Sequence, residues 1–107
     1  MGVLDDIKGL VGDGDVAGFA KKFREKGLDK EVASWVSKGE NLPIVGDQIE
    51  KVLGHEAVAG VAARLGVTHD EAADELAKEV PKAVDRLTPD GELPTAEQAK
   101  ERVAALA

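Results

Sequence analysis

The chain has 107 residues, a formal net charge of −7 and no cysteine. One domain of this length can bury enough apolar surface to fold unaided, and the missing thiols exclude a disulfide framework and a thiolate metal site. The two halves differ in charge: acids and bases nearly balance up to Asn41, whereas from Leu42 onward thirteen Asp and Glu face seven Lys and Arg, a field that repels phosphate backbones.

Helical periodicity runs through the whole chain and no alternating strand pattern interrupts it. Leu4, Ile7, Leu10 and Val11 share one face of a short first helix. Gly12-Asp13-Gly14 breaks it, and Asp13 or Asp15 is placed to cap the second, whose Val16, Phe19, Ala20 and Phe23 fall at i, i+3, i+4 and i+7. Gly27 is the expected stop. Asp29 then caps a helix carrying Val32, Trp35 and Val36 and ending at Gly39. Pro43 forbids simple continuation, so residues 40–44 form a turn. A short helix follows with Ile49, Val52 and Leu53 inward and Gly54 as its stop; the next carries Val58, Val61, Ala62 and Leu65 and closes at Gly66. Thr68-His69-Asp70-Glu71 reads as a capping box for a helix burying Ala73, Leu76, Ala77, Val80, Val84 and Leu87. Pro81 inside that pattern predicts a kink or two abutting helices. Thr88 to Pro94 is a turn-rich connector around Pro-Asp-Gly. Thr95-Ala96-Glu97-Gln98 caps a final helix with Ala99, Val103 and Leu106, expected to fray or dock loosely. The fold class is all-α, a compact single-domain bundle of about six to eight short helices.

The stretch Trp35-Val36-Ser37-Lys38-Gly39-Glu40-Asn41-Leu42-Pro43-Ile44 resembles the signature of the bacterial YidB-like family. Three further segments agree in order and approximate spacing: Gln48-Ile49 leading to Val52-Leu53-Gly54, Ala63 to Thr68, and Leu87 to Pro94. The resemblance thus spans Trp35 to Pro94. It implies a compact helical fold and carries no accepted activity or active site. Two departures stand out. Val45-Gly46 replaces the Ser-Pro common in the family, which predicts a weaker helix start with Asp47 supplying first-turn charge. The long glycine-rich segment of many relatives shrinks here to Gly12-Asp13-Gly14, so the N-terminal third is expected to be more ordered. The chain is accordingly divided into an N-terminal helical pair over 1–27, packing on or flanking a YidB-like core over 28–94, and a C-terminal helix over 95–107.

Chemistry is harder to find. Val61 to Thr68 has the look of a helix-turn-helix, and residues 57–80 offer a nucleic-acid-associated regulator as the alternative reading. The helix that would enter the groove, however, begins with Asp70, Glu71, Asp74 and Glu75, where base edges and phosphates need donors. Nucleic-acid binding is therefore not the leading expectation, and the same acids suit a helix N-terminus. A helical metal pair needs two histidines at i, i+4, whereas His55 and His69 stand fourteen positions apart. Asp13-Gly14-Asp15 fails the calcium-loop template at Ala17, and His69, Asp70 and Asp74 form no recognised ligand spacing. No metal and no cofactor are expected. Catalysis would need a nucleophile beside a base; Ser34 and Ser37 have no histidine near them in sequence, so no catalytic residue is assigned and an enzyme or small-ligand binder ranks third.

Lys21, Lys22, Arg24 and Lys26 beside Phe19 and Phe23 suggest an amphipathic helix on an anionic surface, but stable attachment wants a second signal, and membrane association is not expected. The first residues lack a basic n-region and a long apolar stretch, Asp6 stands where a myristoylation signal wants Ser or Thr, and no apolar run approaches the roughly 20 residues of a membrane span. A cytoplasmic protein is expected. What remains is protein interaction, with another protein or a second copy. Trp is a favoured interface anchor, and a Pro-stiffened loop beside it would be preorganised. The candidate binding residues are Trp35, Glu40, Asn41, Leu42 and Pro43, with Asn41 expected to hold the loop through side-chain-to-backbone hydrogen bonds.

Overall fold

The computed structural model describes residues 2–12 and 14–106. These form seven α-helices and no strand: α1 (Val3–Val11), α2 (Val16–Glu25), α3 (Asp29–Val36), α4 (Gly46–Leu53), α5 (His55–Leu65), α6 (His69–Leu87) and α7 (Ala96–Ala105). The all-α expectation holds.

The local chemistry explains most boundaries. Asp15 caps α2 by accepting from Gly18 N at 3.0 Å; Asp13 lies outside the described residues. At the other end, Leu28 N donates to Phe23 O at 3.1 Å and Gly27 N to Arg24 O at 3.0 Å. This paired closure requires a left-handed residue, and Gly27 supplies it with φ +85°. The cap of α3 differs from expectation: Leu28 occupies the cap position and Asp29 the first turn, where its charge favours the helix dipole. That helix also stops earlier, at Val36, leaving residues 37–45 as one long connector. Val45 cannot cap α4 through its side chain. Gln48 supplies half of the missing box, its Oε1 accepting from Val45 N at 2.9 Å.

The longest helix, α6, organises the molecule, touching every other helix. Ala72, Ala73, Ala77 and Ala83 let neighbours approach closely, while Leu76, Val80, Val84 and Leu87 fill the space between them. The helix runs through Pro81 as one element, so the alternative of two abutting helices does not occur. Burial of Pro81 within α6 accompanies a helix that lacks one backbone donor there.

The N-terminal pair is built into this core rather than resting beside it. Ile7 and Phe23 have no exposed surface. Phe23 stands edge-on to Phe19 at 5.2 Å and to Trp35 at 5.4 Å between ring centroids. Each such side chain contributes about 1.5–3 kcal/mol on burial. The C-terminal helix also docks firmly: Ala99 and Leu106 are buried, and Arg102 Nη1 donates to Leu87 O at 3.2 Å. Val103 and Leu106 complete the apolar face that the sequence marks on this helix and pack it on the core.

Candidate functional site

The loop singled out by the sequence is held from beneath. Trp35 is fully buried, and its Nε1 donates to Leu42 O at 2.8 Å. Ser34 Oγ accepts from Leu42 N at 2.9 Å while donating to Glu31 O at 2.6 Å. Both backbone groups of Leu42 are thus fixed by α3, yet the residue is 44 % exposed. Pro43 and Glu40 are also exposed, Ile44 points inward and Val45 is 60 % exposed. Asn41 Nδ2 reaches Pro81 O at 3.4 Å, a weak version of the expected side-chain-to-backbone bond, and its Oδ1 is buried without a partner.

This geometry corrects the role expected of Trp35. A side chain with no exposed surface cannot touch a partner, so Trp35 supports the loop, and Glu40, Leu42, Pro43 and Val45 are the loop residues that stand exposed. Val45, which the sequence marks only as a departure from the Ser-Pro helix start, extends this exposed edge.

A second cluster brings together His55 and His69, which their fourteen-position spacing in the sequence keeps apart, and adds Glu50. Gly54, with φ +92°, is at once the C-cap of α4 and the N-cap of α5, a corner an L side chain would strain. It places His55, the first residue of α5, beside Glu50 in the last turns of α4. His69, the first residue of α6, arrives from the other side. Glu50 Oε1 contacts His69 Nε2 at 2.5 Å and His55 Nδ1 at 3.2 Å. The two imidazoles stack with centroids 4.3 Å apart and planes 22° from parallel. The hydrogen bond from His69 is the main force holding the Glu50 carboxyl below its ordinary range; burial opposes it, and the charge of His69 and the contact with His55 add to the lowering.

The helix-turn-helix-like segment also exists as geometry, with α5 and α6 joined by Gly66, Val67 and Thr68. Thr68 Oγ1 accepts from Glu71 N at 3.1 Å and Glu71 Oε1 from Thr68 N at 3.0 Å, completing the expected capping box. Hydrogen bonding to its carboxylate from the Thr68 backbone N–H, and then from the Thr68 hydroxyl, holds Glu71 below the usual carboxylate range, with burial opposing. Asp70, Glu71 and Asp74 face solvent along the first turns of α6. Arg64, near the end of α5, donates from Nε to Oδ1 of the buried Asp6, tying α1 to α5 beside a cleft of about 430 Å³. The basic residues of α2 are exposed while Phe19 and Phe23 are buried, so the apolar face of that helix is committed to the core. Among the described residues, no helix is long and apolar enough to cross a membrane.

Comparison with known proteins agrees with the fold and the family resemblance. The chain is 31 % identical over 110 residues to the uncharacterized protein YidB of Escherichia coli (strain K12), covering 87 % of this chain and 83 % of that one. It is similar to the solved structure of a homeodomain-like protein of unknown function from Shigella flexneri, with a TM-score of 0.78 and 28 % identity across 97 % of this chain and 77 % of the other. The pattern that defines YidB-like proteins matches residues 2–96, extending through the N-terminal pair as well as the Trp35–Pro94 stretch. The chain belongs to the YidB-like family.

Proposed function

We propose that this domain is a non-enzymatic interaction module that binds another protein, or a second copy of itself, through the exposed edge of its 37–45 connector. The observation that carries the reading is the combination at Leu42: backbone fixed on both sides by α3 and the residue exposed to solvent. A loop already held in one shape loses little conformational entropy on association. Leu42, Pro43 and Val45 give it apolar contact area, with Glu40 at the rim as a charged selector. The cysteine-free composition suits the reducing cytoplasm we propose for it.

Affinity capture from the native cell tests this directly, with Leu42→Asp/Val45→Asp as the control. Partners held by the wild-type domain and lost by the double variant support the loop. Capture that is indifferent to both substitutions argues against it.

One observation favours a second reading, nucleic-acid association through residues 57–80: the α5–turn–α6 arrangement together with similarity to a protein described as homeodomain-like. The acids on the first turns of α6 weigh against it, because each carboxylate facing a phosphate opposes the counterion release that drives such binding. Salt-sensitive retention of duplex DNA in a mobility-shift assay would favour this reading over the loop.

A further inference from the structure

We propose that Glu50, His55 and His69 bind one divalent transition-metal ion of the zinc class, with the remaining coordination position open to water. The ligand atoms of the three side chains lie within 4.8 Å of one another. A tetrahedral zinc site with bonds of about 2.0–2.2 Å sets its ligand atoms roughly 3.4 Å apart. Reaching that spacing needs the His55 ring, whose side chain is 77 % exposed, to rotate out of its stack on His69, and Glu50 Oε1 to withdraw slightly from His69.

The donor set points to the class of ion. Two imidazole nitrogens and one carboxylate oxygen suit zinc and its neighbours, whereas magnesium and calcium prefer all-oxygen shells. Convergence adds a second argument. One Glu50 oxygen meets His69 Nε2 at 2.5 Å and His55 Nδ1 at 3.2 Å, so the donor atoms of three different helices already face one point. Glu56 and Asp70, each the residue after a histidine ligand, add negative charge that offsets the positive ends of α5 and α6.

The positions are also built into the fold. The three ligands come from the end of α4 and the starts of α5 and α6. The Gly54 corner fixes the first pair, and close packing of α4 on α6 fixes the third. A Cβ on Gly46 would stand 2.8 Å from Asp74 Oδ1 and 3.2 Å from Ala73 Cβ, so the two helices approach as nearly as glycine permits. A bound ion would therefore clamp three helices at one point, independently of the 37–45 connector.

The test is titration of the tag-free full chain with Zn²⁺ by calorimetry, and with Co²⁺ by visible absorption. One ion per chain is expected, with the intensified cobalt bands of a low-coordinate site and a thermal midpoint that rises with added zinc. His55→Gln and His69→Gln should each weaken affinity by at least about tenfold, and Glu50→Gln should weaken it while keeping the fold, checked by circular dichroism. Asp70→Asn should retain the site. Absence of zinc heat and of a cobalt spectrum in the wild-type chain would overturn the proposal. So would equal affinity in the wild type and the two histidine variants.

Discussion

The Trp35 indole combines two tasks that are usually separate: it fills the core against Phe23 and spends its one donor on the carbonyl of Leu42. Trp35→Ala should therefore cost about 3–5 kcal/mol, the range for large-to-small changes of a buried aromatic, read as a fall in the urea midpoint. Trp35→Phe keeps most of the volume but loses the hydrogen bond and leaves Leu42 O without that donor, at a cost of about 1–3 kcal/mol. At this scale the sequence was informative about residue types and silent about distance. Trp35 and its loop were legible because they adjoin in the chain. The Arg64–Asp6 pair spans 58 positions and the Glu50–His69 contact 19. No local spacing announces either, since both depend on which helix faces come together.

The helices themselves were legible wherever a cap or a 3.6-residue period marked them. Thr68 with Glu71 and Thr95 with Gln98 form the capping boxes the motif implied. The Gly54 corner was read as an ordinary stop, because a glycine ending one helix gives no sign that it also begins the next. The α6 box carries a pH dependence whose sign is fixed. Hydrogen bonds from the Thr68 backbone and hydroxyl lower the Glu71 pKa from 4.5. The stabilisation is thus present above the unfolded-state value and lost as pH falls through the lower folded value. Urea midpoints measured between about pH 6 and pH 3 should fall less steeply for Glu71→Gln than for the wild type. Parallel slopes would show that the box contributes no titrating stability.

For the molecule as a whole, the decisive feature is that α1 and α2 supply interior residues to a core organised by α6. Ile7, Phe19 and Phe23 pack into the same cluster as Trp35, Val80 and Val84. Removing residues 2–27 should leave a remainder with helical far-ultraviolet signal, red-shifted Trp35 emission and exposed apolar surface. A native-like emission maximum and cooperative melting would show that the rest folds alone. The matched segments of the sequence reading begin at Trp35, whereas interior packing begins with α1, because a core contributor needs only an apolar face and not a motif. In the proposed role this core holds one exposed loop in a binding shape. The measurement that tests it most directly is the affinity of a captured partner, or of a second copy, for the wild type and for Leu42→Asp/Val45→Asp, with unfolding midpoints alongside. Binding should weaken by at least about tenfold, a loss of some 1.4 kcal/mol, while stability falls by no more than about 0.5 kcal/mol, because both positions are exposed and Asp at the N-cap position of α4 favours the helix. Unchanged affinity in a well-folded double variant would contradict it.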